Sequence, residues 1–127
     1  MMEQLLLHLI GDYVTQSHWM ATRKTKSSCP ALCHAVLYSL PFLAIGSPLA
    51  VLVICVTHFF MDRFRIARYV IWFKNRFLSP YTPELFWNNC KDTGYPSKTP
   101  AWLAVWLMII ADNTIHLCFN YIFLIWL

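Results

Sequence analysis

The sequence predicts an all-α fold, a polytopic membrane four-helix bundle with a cytoplasmic loop. Three observations carry that expectation. The 127 residues are 58% hydrophobic and only 13% charged, where a soluble domain carries about a quarter charged residues. The ten lysines and arginines cluster in two places between apolar runs. Histidines and aspartates recur four residues apart inside those runs, which is helical spacing. The length suits one domain. It holds more apolar surface than one small core can bury, so lipid is the expected solvent. A spanning helix needs roughly 20 mostly apolar residues, which leaves room for four spans and short connections.

The first helix is expected over about 2–22. Its apolar stretch is short and is interrupted by His8, Asp12 and Gln16, so it should insert by packing on its neighbours. The polar run 23–28 connects it to a second helix over about 30–45, with Pro30 suited to the first turn. Gly46, Ser47 and Pro48 form a tight turn. A third helix follows over about 48–76, apolar through Met61 and then basic and amphipathic, as suits the membrane surface. Four prolines and a glycine make 79–98 and its flanks a loop. A last helix over about 99–127 is long enough to cross.

Four spans put every lysine and arginine on one side, in the first connection or between 63 and 98. The positive-inside rule then places the basic loops in the cytoplasm and both termini outside, integral to the inner (cytoplasmic) membrane. No cleavable signal is expected, since the opening residues lack a positive region. Five cysteines without a paired motif argue against a disulfide framework. The net charge of +4 flanks apolar segments and forms no solvated stripe, so no nucleic acid is expected as a partner. The expected partners are membrane lipids and a lipid-linked substrate, and self-association into a homo-oligomer is left open.

Three helices each carry a four-residue pair: His8 with Asp12, His58 with Asp62, and Asp112 with His116. Residues so spaced share a face, about 6 Å apart along the axis. The first two pairs read His then Asp on helices running inward. The third reads Asp then His on a helix running outward. All three therefore point the same way, histidines nearer the outside and aspartates nearer the cytoplasm. His34 on the second helix falls at the histidine level. An aspartate at the centre of a span costs about 2.5–3.5 kcal/mol, so three need an offset. A divalent metal (zinc, manganese or iron) supplies one, held by His8, Asp12, His34, His58, Asp62, Asp112 and His116. Gln16, Tyr38, Asn113 and Asn120 lie on or near the same faces as supporting residues. The bland alternative is a set of satisfied interhelical hydrogen bonds and ion pairs. His18, next to Trp19 and Arg23, reads as interfacial, and the tryptophans as an aromatic belt.

At these residues the chain resembles a known family. The run His8-Leu9-Ile10-Gly11-Asp12-Tyr13-Val14-Thr15-Gln16, then His34, His58 with Asp62, and Asp112-Asn113 with His116 and Asn120, is similar to the domain of unknown function 3307, a family of small phage and bacterial membrane proteins. The resemblance implies a membrane protein and carries no established activity. The ligand types also resemble YdjM-like membrane-bound metal-dependent hydrolases, a looser likeness that raises the expectation of hydrolysis.

The leading functional expectation is a metal-dependent membrane hydrolase acting on a lipid or lipid-linked phosphate or ester. Asp12, Asp62 or Asp112 would serve as ligand or general base, and Arg63 and Arg65 would hold a phosphate at headgroup level. Plain positive-inside anchoring is the simpler role for those arginines. The alternative is non-enzymatic: an ion or proton conduit, or a metal-binding phage membrane protein acting on a host membrane partner.

Overall fold

The computed structural model describes residues 2–80 and 82–127, so Tyr81 of the expected 79–98 loop lies outside the described residues. Every regular element among them is helical. In chain order they are α1 (Met2–Leu9), a π turn (Ile10–Val14), α2 (His18–Arg23), α3 (Ser28–Ser39) running on as a 3₁₀ turn (Leu40–Ala44), α4 (Pro48–Phe64), α5 (Ile66–Leu78), a 3₁₀ turn (Pro83–Leu85), α6 (Trp87–Cys90) and α7 (Ala101–Trp126). Two compact units form: residues up to Phe64 with 116–127, and residues 65–115.

In the first unit, the expected helix over 2–22 is broken. The π turn widens the chain at Gly11 and Asp12, and Ser17 then starts α2 with its hydroxyl accepting from Met20 N at 3.3 Å. Gly11 is required there: a Cβ on it would stand 2.5 Å from Tyr38 Cδ2 and 3.2 Å from Tyr38 Cα. Pro48 opens α4, and Ser47 Oγ accepts from Ala50 N at 3.1 Å. The helices α3 and α4 pack together around Tyr38, Phe42, Val51 and Ile54, with Leu7, Phe123 and Leu124 against that core. Many large apolar side chains face outward nonetheless, among them Leu32, Leu43, Leu49, Leu52 and Phe60 on α3, its 3₁₀ turn and α4.

The expected third helix, 48–76, also divides. Arg65 adopts the left-handed conformation (φ 53°) and separates α4 from α5. In the second unit α5 is tied to the following loop. Trp72 Nε1 donates to Leu85 O at 3.0 Å, Arg68 to Lys91 O at 3.0 Å, and Arg65 to Asp92 O at 2.5 Å. The Arg68 guanidinium lies over Tyr69 and Trp87, whose rings stack on each other at 4.9 Å. Lys98 pairs with Glu84.

Among the described residues, α7 is the helix long and apolar enough to cross a membrane; Ser28–Ala44 is apolar but shorter. At 26 residues α7 extends about 39 Å. The shortening of the other expected spans has local causes: the break after the π turn, and the left-handed Arg65 that ends α4 after 17 residues.

Candidate metal centre

Helical periodicity decides which side chains enter the first unit. Along the first segment Gln4, His8 and Asp12 follow one another at four-residue steps, and all three are buried. On α3 the same step buries Pro30, His34 and Tyr38, and on α4 Ile54, His58 and Asp62. His116 and Asn120, four apart on α7, are each 1% exposed. Six chemically active groups thus leave water together. Such burial is costly unless the groups find partners.

The partners they find are one another. His34 Nε2 lies 3.2 Å from Asp12 Oδ1 and 3.2 Å from Asp62 Oδ2. His58 Nε2 lies 3.1 Å from Asp62 Oδ2 and 3.6 Å from Asp12 Oδ1. One donor atom from each of these four residues falls within 4.8 Å of every other. A tetrahedral ion with bonds near 2.0–2.2 Å sets its donor atoms about 3.4 Å apart. Four of the six edges of such a tetrahedron are therefore measured, at 3.1–3.6 Å. His58 Nε2 and Asp62 Oδ2 stand 3.1 Å apart outside hydrogen-bond geometry. Two imidazoles and two carboxylates are a donor set that could hold a divalent ion.

Around this group stands a supporting layer. His116 Nε2 is 3.5 Å from Asp62 Oδ1, and its ring lies 4.2 Å from that of His58. Tyr38 stacks on His58 at 3.7 Å and 21°, which fixes the imidazole plane. Asn120 donates to the Tyr38 hydroxyl at 2.6 Å, leaving that hydroxyl's proton for His8 Nδ1 at 2.7 Å. His8 reaches Asp12 Oδ2 only at 3.5 Å, so it sits behind the four-residue group. Gln16 donates to the Asp12 backbone carbonyl at 3.1 Å and braces the π turn.

The expected separation into a histidine layer and an aspartate layer is replaced by an interleaved arrangement, because His34 and His58 each face both carboxylates. Asp112, Asn113 and Arg65 belong to the second unit; Asp112 and Asn113 are half-buried on α7. Arg63 is committed elsewhere: its guanidinium donates to Thr25 O at 2.9 Å and contacts Ser28 Oγ at 3.4 Å. It anchors the loop between α2 and α3 to α4. Two participants are absent from the sequence-based set. Gln4 donates to Leu117 O at 2.7 Å, and the four-residue step from His8 was the available signal. Lys24 Nζ enters the cluster, 2.8 Å from Asp62 Oδ2 and 3.2 Å from His34 Nε2. A lysine in a basic connection gives no sequence sign of turning inward.

The class of protein so defined is an all-helical one whose interior carries a buried His/Asp group able to hold a metal ion. The chain belongs to the family described as Protein of unknown function (DUF3307), which matches residues 1–82 and so includes Asp12, His34, His58 and Asp62. No curated protein and no solved structure matches the chain.

Proposed function

We propose that this protein is a metal-dependent integral membrane hydrolase acting on a lipid or lipid-linked phosphate or ester. The observation that carries the reading is the set of four N···O separations of 3.1–3.6 Å among Asp12, His34, His58 and Asp62. These four residues would hold zinc, manganese or iron. A bound divalent ion supplies Lewis acidity and a water acidified toward neutral pH. His116, beside the second oxygen of Asp62, would orient that carboxylate and accept a proton. Tyr38 would hold the His58 ring, and the Asn120–Tyr38–His8 chain would keep water off the rear of the site. Asp112 stands one helical turn before His116, so spacing keeps it a candidate base or ligand. Arg63 and Arg65 would meet a phosphate only by giving up their present loop bonds.

A polytopic four-helix arrangement in the inner membrane is part of the proposal. The outward apolar side chains of α3 and α4 support it, since patches of that kind on one small unit call for lipid or a partner. Protein purified without chelators should carry about one divalent ion per chain by inductively coupled plasma spectrometry. Turnover of a lipid phosphate or ester with zinc, manganese or iron would establish the activity. Metal-free protein that also takes up no added ion would end the proposal.

A second reading is favoured by one observation. The contacts His8–Asp12–His34–Asp62–His116 run in series at 3.2–3.5 Å, and a proton relay would draw them into hydrogen bonds. Proton flux in proteoliposomes, without any hydrolysis, would select it.

A further inference from the structure

The loop between α2 and α3 delivers a positive charge onto the atoms that would bind the metal. Lys24 Nζ lies 2.8 Å from Asp62 Oδ2 and 3.2 Å from His34 Nε2. Those two atoms are 3.2 Å apart and form one edge of the donor tetrahedron. An ion bonded to Asp62 Oδ2 would stand no more than about 5 Å from the ammonium. A protonated lysine offers three donors and no lone pair, so it cannot be a ligand while charged. Two like charges at that distance in a buried setting repel strongly.

Charge counting gives the same result. Asp12 and Asp62 carry two negative charges. With the imidazoles neutral, as metal ligands must be, Lys24 alone leaves the group at about −1, a divalent ion alone neutralises it, and both together leave a buried excess of +1. The lysine also has a way out. Its side chain is 17% exposed while that of Asp62 is 5% exposed. The backbone need not move, because Arg63 holds the loop at Thr25 O and the lysine stem is flexible.

We propose that Lys24 is a built-in competitor of the divalent metal, a tethered cation that neutralises Asp62 in the metal-free protein and withdraws toward the loop surface when the ion binds. This rests on the metal-centre reading above. It makes Lys24 a positioning residue that sets metal affinity and shields buried carboxylates before loading.

The test compares the full-length wild type with Lys24→Gln and Lys24→Arg in detergent micelles, using zinc alone as the probe in competition with a chelator. Lys24→Gln should bind zinc about tenfold or more tighter, a coupling of ordinary size. Lys24→Arg keeps the charge and should bind no tighter than wild type. Equal or weaker binding by a folded Lys24→Gln, with stoichiometric binding by wild type, overturns the Lys24 proposal and leaves the metal centre standing. Absence of binding in all three overturns both. A second readout needs no variant: residue-resolved reductive methylation of the wild-type chain. Lys24 should become several-fold more reactive when zinc is added, and unchanged protection overturns the proposal.

Discussion

Asp62 offers both carboxylate oxygens to the cluster, Oδ2 toward His34, His58 and Lys24, and Oδ1 toward His116. An amide in its place keeps the shape and loses the charge and one acceptor. Asp62→Asn should therefore lower metal affinity by roughly 100-fold or more, beyond the loss seen when only outer-shell partners are removed. Metal titration of the folded variant measures this, and affinity equal to wild type would strike Asp62 from the donor set. Tyr38 acts differently, through its hydroxyl between Asn120 and His8. Tyr38→Phe leaves the ring stack on His58 intact and strands a buried amide donor. We expect a loss of about 1–3 kcal/mol of stability, read from unfolding in detergent. Unchanged stability would mean that the hydroxyl holds nothing in place.

At the scale of elements, the π turn carries Gly11 and Asp12, both buried. The wider turn lets the backbone approach α3, where Gly11 packs against Tyr38 so closely that a Cβ would overlap the ring. Gly11→Ala must push aside a fully buried aromatic that also orients His58. The expected cost is about 1–3 kcal/mol, typical of overpacking, together with weaker metal binding. A variant that unfolds at the wild-type denaturant concentration and binds metal normally would show that the close contact at Gly11 is not needed. Arg65 acts as a second punctuation mark. Its left-handed backbone ends α4 three residues after Asp62, so that α5 begins a separate unit with its own Trp, Tyr and Arg packing.

For the whole molecule, the proposed membrane arrangement makes a prediction about each connection. The topology proposed from the basic residues puts the α2–α3 connection in the cytoplasm. Cys29, at the start of α3, is exposed and reports on it. A chain retaining Cys29 as its one cysteine should resist a membrane-impermeant maleimide in intact cells and react in inverted vesicles. Labelling from outside would reverse the topology. The same arrangement would put Lys24 and the rest of the α2–α3 connection at the cytoplasmic face.

What the sequence determined by itself is periodic and compositional. The all-helical class follows from apolar runs and from the spacing of His8 with Asp12 and of His58 with Asp62, because a helix relates residues four apart through its own backbone. The apolar run of α7 is likewise long enough to be read directly. What only the tertiary structure decided depends on which surfaces meet. The need for glycine at position 11 of the π turn arises because Tyr38 lies against it. The interleaving of His34 and His58 between two carboxylates requires three segments at one depth. The loss of Arg63 to the loop at Thr25, and the turn of Lys24 inward, are set by a connection whose residues look like ordinary basic anchors. Local spacing is written along the chain, whereas the electrostatic partner of a buried charge is chosen by packing between segments far apart in it.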